Sequence, residues 1–155
     1  MTPTQIVIHH SASGKNTTLK QINAWHKARF NFKSSRDSYI GYHYVIKEEG
    51  QIYQPRRDNE LGAHSTPNAG KIGICLIGNF MISAPTDAQL FALANLLNSL
   101  KRRYNIEKVL GHRDCNATEC PGDNLYEYIE LFTKINWLQR LIRKLLNFKF
   151  NATSI

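Results

Sequence analysis

Apolar and polar positions change their period several times along this chain, and each change marks an element. Ile6-Val7-Ile8 is a short unbroken apolar run, so residues 5–10 read as a buried strand. Thr17 or Thr18 can cap a helix running to about Phe30, with Leu19, Ile22, Trp25 and either Ala28 or Phe30 turned inward. Residues 31–40 are polar and read as a loop. A hairpin is predicted next: Tyr42–Lys47, the turn Glu48-Glu49-Gly50, then Gln51–Gln54. Pro55 to Pro67 holds few apolar residues and reads as a loop crossing the surface. Ile72–Ile77 is almost wholly apolar, which places it centrally in a sheet covered on both faces. Thr86-Asp87-Ala88-Gln89 is a capping box opening a long helix, with Leu90, Leu93, Ala94, Leu97 and Leu100 as its inner stripe. Lys108–Leu110 is a short strand leading into Gly111-His112. Pro121 and Gly122 open a helix over roughly Asn124–Thr133. Strands alternating with helices predict an α/β fold: a central mixed β-sheet flanked by helices.

One further periodic stretch lies beyond these. Leu138, Leu141, Ile142, Leu145 and Leu146 repeat at helical spacing, while Arg140, Arg143 and Lys144 fall mostly off that stripe. Residues 136–150 therefore read as a basic amphipathic helix. The net charge of +8 is uneven in the same sense. No acidic residue follows Glu130, and five cations do, leaving +3 for the rest. The reading expects one domain over 1–135 and a basic tail over 136–155. The tail's bland role is a docked terminal helix. Its sharper role is contact with an anionic outer membrane or lipopolysaccharide. No aromatic–basic interleaving supports a nucleic-acid partner, and a monomer is expected.

The 155 residues suffice for a real core, and no run approaches the ~20 apolar residues of a membrane span. The N-terminus lacks a basic region followed by a long apolar run. The expectation is synthesis in the cytoplasm without a signal peptide, and action on the cell wall after release. Cys75, Cys115 and Cys120 are an odd set, arguing against a disulfide framework. Cys75 reads as a small buried hydrophobe and Cys115 as a loop thiol. A Cys75–Cys115 bond stays compatible with the sequence.

The chemistry concentrates in Gly111-His112-Arg113-Asp114-Cys115-Asn116-Ala117-Thr118-Glu119-Cys120-Pro121-Gly122, where a His and a Cys stand eight residues apart. Far upstream, a strand ends in His9-His10. Neighbours on a strand face opposite ways, so only one of these two can join a shared ion, and alternation does not say which. Two imidazoles and a thiolate make three ligands. That is one short of a closed structural zinc site and matches a catalytic one.

These segments, joined by Ile40-Gly41-Tyr42-His43-Tyr44 and Ile72-Gly73-Ile74-Cys75-Leu76-Ile77-Gly78-Asn79-Phe80, resemble the zinc-dependent N-acetylmuramoyl-L-alanine amidases. That family includes amidase-type phage lysozymes and animal peptidoglycan recognition proteins. The resemblance covers roughly residues 4–134. It implies one zinc ion on His9, His112 and Cys120, and an active-site Tyr42. It also implies a last catalytic position at Thr118, where phage members often carry Lys. His64 matches a position lining the substrate groove; a plain loop histidine is the alternative. His10 and His43 read as structural, Glu119 as a peripheral carboxylate, and Arg113-Asp114 as a local ion pair. The implied activity is peptidoglycan hydrolysis at the amide between N-acetylmuramic acid and L-alanine, as in a phage or prophage endolysin. The alternatives are a cytoplasmic wall-recycling amidase acting on soluble muropeptides and a non-catalytic peptidoglycan-binding module. Members of the latter kind tend to lose a ligand, often the Cys, which is present here.

Overall fold

The computed structural model of the chain describes residues 2–133. The basic amphipathic helix expected at 136–150, and the boundary at 135, lie outside them. Five strands, β1 (Gln5–His10), β2 (Tyr44–Ile46), β3 (Ile52–Tyr53), β4 (Lys71–Leu76) and β5 (Lys108–Gly111), form one sheet in the order β3-β2-β4-β1-β5. β1 runs parallel to β4 and β5, β4 runs parallel to β2, and only β2–β3 is antiparallel. The mixed sheet is thus the expected one. β4 sits at its centre and is buried at every position, as its unbroken apolar run requires.

Among the described residues three helices cover the sheet: α1 (Leu19–Phe30), α2 (Asp87–Arg103) and a helix over 123–133, α3. Strand alternation sorts the side chains between two layers. Ile6, Ile8, Ile72, Ile74, Leu76 and Ile46 point to one face. There they pack with Leu93, Leu97 and Leu100 of α2 and Leu125 and Ile129 of α3. Each such side chain contributes about 1.5–3 kcal/mol through burial. The opposite face holds a smaller cluster of Ile22, Ile40, Val45 and Ile77. His9 lies on that second face, since it pairs in register with Cys75, which pairs in turn with Val45.

Both long helices open on capping boxes: Thr18 with Gln21, and Thr86 with Gln89. The expected inner stripe of α2 is rotated. Gln89, Ala92 and Leu96 are buried beside Leu93, Leu97 and Leu100, while Leu90 and Ala94 are only partly covered. Gln89 turns inward because its amide donates to the Ile77 carbonyl at 2.9 Å. In α1 only Ile22 is buried. Trp25 is 48% exposed and Phe30 39%, so neither belongs to the core. The hairpin strands are shorter than expected, and Tyr42 precedes β2 instead of starting it.

The 55–67 segment does not simply cross the surface. Arg56 is 1% exposed. Its guanidinium donates to the carbonyls of Phe32 and Leu61, both at 2.9 Å, and of Ile40 at 3.4 Å. One side chain therefore ties the 32–40 loop to the 56–61 loop. Gly41 completes that junction: its amide donates to His26 Nδ1 at 2.8 Å and its carbonyl accepts from Ala63. A Cβ at Gly41 would collide with the Ala63 carbonyl, so only glycine permits this approach.

Candidate metal centre and groove

Parallel strands bring their carboxyl ends to one edge of the sheet, where α/β folds place ligand sites. His9 is the penultimate residue of β1. His112 follows β5 directly, in a single 3-10 turn over His112–Asp114. The chain then folds back, with the Arg113 amide donating to the Cys120 carbonyl at 2.8 Å, and this return delivers Cys120 to the same edge. One donor atom from each of His9, His112 and Cys120 lies within 4.8 Å of the others. The His9 and His112 ring centroids are 4.5 Å apart, and Cys120 Sγ stands 3.7 Å from His9 Nδ1. A tetrahedral zinc with Zn–S of about 2.3 Å and Zn–N of about 2.0 Å spans an N–S edge of about 3.6 Å. The donor set fits such an ion.

Electrostatics agrees with that fit. Burial, then the neighbouring imidazoles of His64 and His112, holds His9 well below the usual histidine range. Burial also lowers His112. Both rings are therefore neutral at pH 7, the form that binds cations. Burial pushes the Cys120 thiol up to about 11, so a nearby divalent cation is needed to keep it as thiolate.

A groove of about 530 Å³ lies over these donors. Tyr42 and Thr118 both line it, as does His64. The Tyr42 ring is 5.0 Å from that of His9. Burial and the thiols of Cys75 and Cys120 raise its hydroxyl well above the ordinary tyrosine pKa. Thr118 is exposed, and its Oγ1 accepts from the Cys120 amide at 3.2 Å. Its own proton is left to be donated elsewhere. His64 is 8% exposed, with Nδ1 at 3.1 Å from His9 Nε2.

His10 faces the α2 side, its Nδ1 accepting from the Phe80 amide at 3.2 Å. His43 is structural: Nδ1 accepts from Gly73 and Nε2 reaches the Glu60 carbonyl. Glu119 is exposed at the groove rim. Cys75 is fully buried, and all three cysteines are free, so no Cys75–Cys115 bond forms. Arg113 does not pair with Asp114. It pairs with Asp123 at 2.7 Å, while Asp114 accepts from the Gly111 amide and the Tyr126 hydroxyl. The 3-10 turn explains the exchange, because it curls Asp114 back onto residue 111.

Sequence reasoning missed part of the wall. Trp25, His26, Arg29 and Phe30 of α1 line the groove. The signal is in the sequence, since α1 offers few apolar residues for a core stripe, but helical spacing alone turns Trp25 inward. His26 accepts from Gly41 and stands 4.9 Å from the Tyr42 ring. Burial, then Arg29 and Arg56, lowers its pKa to about 4. Asn116 was also missed as a contact of His112, at 3.0 Å from its Nε2.

Fold and groove together define an α/β domain whose parallel strand ends carry an open His/His/Cys donor set. Residues 1–123 match the N-acetylmuramoyl-L-alanine amidase family, and the chain belongs to it. The chain is 35% identical over 142 residues to peptidoglycan-recognition protein SC2 of Drosophila simulans, spanning 84% of this chain and 73% of that relative. Among solved structures it resembles N-acetylmuramoyl-L-alanine amidase LysC from Clostridium intestinale URNW, with a TM-score of 0.77 at 35% identity, covering 88% of this chain and 87% of that one. The endolysin amidase LysCS from the same organism is similar to the same degree, with a TM-score of 0.77 at 35% identity over 88% and 85%.

Proposed function

We propose that this protein is a zinc-dependent peptidoglycan hydrolase of endolysin type, cleaving the amide between N-acetylmuramic acid and L-alanine. The observation that carries this reading is the convergence of His9, His112 and Cys120 on the floor of an open groove. Likeness to the endolysin LysCS favours the lytic role over wall recycling.

Zinc, when bound by those three residues, supplies a Lewis acid that activates water at neutral pH. The chain's own groups do the rest. The Thr118 hydroxyl donates to the oxyanion that develops on the substrate carbonyl, a contribution that strengthens as charge builds. The Tyr42 hydroxyl keeps its proton at working pH. It therefore acts as a hydrogen-bond donor at the reacting oxygen and as a relay toward the leaving amine, not as a base. His64 closes the groove floor, and the α1 wall offers Trp25 and Phe30 as apolar platforms with Arg29 for acidic groups of the stem peptide. The enzyme acts on the wall after release from the cell that makes it. Residues 136–150 suit an anionic envelope surface.

Purified sacculi incubated with the protein and examined by mass spectrometry test this reading. The expected products are free stem peptides bearing an N-terminal alanine, lost on EDTA treatment and restored by zinc. Binding to sacculi without release would favour a recognition module instead. Release confined to soluble anhydro-muropeptides would favour recycling. Deleting residues 136–155 should spare activity on bare sacculi and lower lysis of intact Gram-negative cells; equal loss on both would refute a role in envelope contact.

A further inference from the structure

We propose that His64 and Asn116 are positioning residues for the two metal-binding imidazoles, and that the 64–68 loop is the common support for both. This rests on the zinc reading above.

His9 Nδ1 faces the Cys120 sulfur at 3.7 Å, and Nε2 faces His64 Nδ1 at 3.1 Å. A ring nitrogen that binds a cation carries no proton, so the His9 proton sits on Nε2 and is donated to His64. The same device recurs on the other side. Thr66 fixes the Asn116 amide, its N–H donating to Oδ1 at 3.0 Å and its carbonyl accepting from Nδ2 at 3.3 Å. Oδ1 is thereby the acceptor facing His112 Nε2 at 3.0 Å, which leaves His112 Nδ1 for the ion. Each imidazole is held by its far nitrogen, and each acceptor is neutral. Neutral acceptors fix ring orientation without adding the negative charge a carboxylate would bring to the centre.

Both restraints converge on one loop. His64 belongs to it, and Asn116 grips Thr66 within it. Asn68 Oδ1 accepts from the His64 and Ser65 amides, both at 2.9 Å, which holds the loop's own shape. The His64 ring lies in a slot between Gly62 and Gly73, and a Cβ on either glycine would press on its Cδ2 atom. The ring has no room to turn away from His9. Its Nε2 is buried, and the Lys71 backbone gives the ring a polar contact. A ring proton directed at that backbone leaves Nδ1 as the acceptor facing His9 at 3.1 Å.

The experiment is a zinc titration of the full-length apo protein against a competing chromophoric chelator, with the cobalt(II) absorption spectrum as a second readout. His64→Leu and Asn116→Ala are each expected to weaken zinc binding about ten- to a hundred-fold and to alter the cobalt bands. His64→Asn places an amide oxygen where Nδ1 stood, and should stay within about threefold of the unaltered protein. Zinc held as tightly by His64→Leu as by the unaltered chain would overturn the proposal. So would His64→Asn falling as far as His64→Leu, since the ring would then only fill space. If His64→Leu gives no cooperative melt, Asn116→Ala decides alone, and unchanged affinity there overturns it. Failure of the unaltered protein to bind zinc overturns the zinc reading as well, and shows before any variant is compared.

Discussion

Replacing Arg56 by Met keeps most of the side-chain volume and removes the guanidinium that joins two loops. Three carbonyls lose their donor: Phe32, Ile40 and Leu61. A buried acceptor left unpaired costs about 1–3 kcal/mol. Phe32 and Leu61 are 39% and 47% exposed, so water can reach their carbonyls in part. Ile40 is 1% exposed and gains no such relief. Burial also lowers the Arg56 pKa, and removing the charge returns that desolvation cost. The net loss works out at about 2–4 kcal/mol. With a urea m-value of about 2 kcal/mol/M, the unfolding midpoint should fall by about 1–2 M. Arg56→Lys should recover little, because an ammonium cannot fork to three carbonyls. Because Gly41 and Tyr42 hang from this junction, the hydrolysis rate should fall while zinc affinity holds. A midpoint for Arg56→Met within about 0.3 M of the parent would refute the reasoning, whatever happened to activity.

Two further outcomes follow from single groups. His26 is neutral in the fold, with its pKa lowered to about 4 from 6.5, so the folded state binds fewer protons than the unfolded chain between those values. Its contribution is present above pH 6.5 and lost as pH falls toward 4. In urea titrations, His26→Asn, which keeps an acceptor for Gly41, should flatten the stability profile in that window; an unchanged slope would refute it. Thr118→Val should lower the rate of stem-peptide release about ten- to a hundred-fold, less than a charged oxyanion donor would, with zinc affinity unchanged. A rate equal to the parent's would remove Thr118 from the chemistry.

Much of the fold was legible because the strong signals are local. The apolar run of β4 and the Thr86–Gln89 capping box each specify their element without distant help. The α2 stripe slipped because Gln89 is buried through its bond to Ile77, a partner no periodicity reveals. Helical spacing turns Trp25 inward because an aromatic at such a position usually packs, yet here the facing surface is a groove. Adjacency suggests an Arg113–Asp114 pair, and the 3-10 turn separates them. The residues meeting in the site were legible as types at motif spacings. Their neighbours were not, because His64 meets His9 across a sequence separation of 55 residues, and Asn116, four residues from His112, is held by Thr66 across 50.

Zinc K-edge absorption spectroscopy of the full-length protein, purified without chelator, tests the central claim most directly. The account predicts one zinc per chain with two nitrogen scatterers near 2.0 Å, one sulfur near 2.3 Å and one further light ligand that exchanges with solvent. His112→Ala should abolish that signature. A first shell without sulfur, or one closed by four protein ligands, would contradict it.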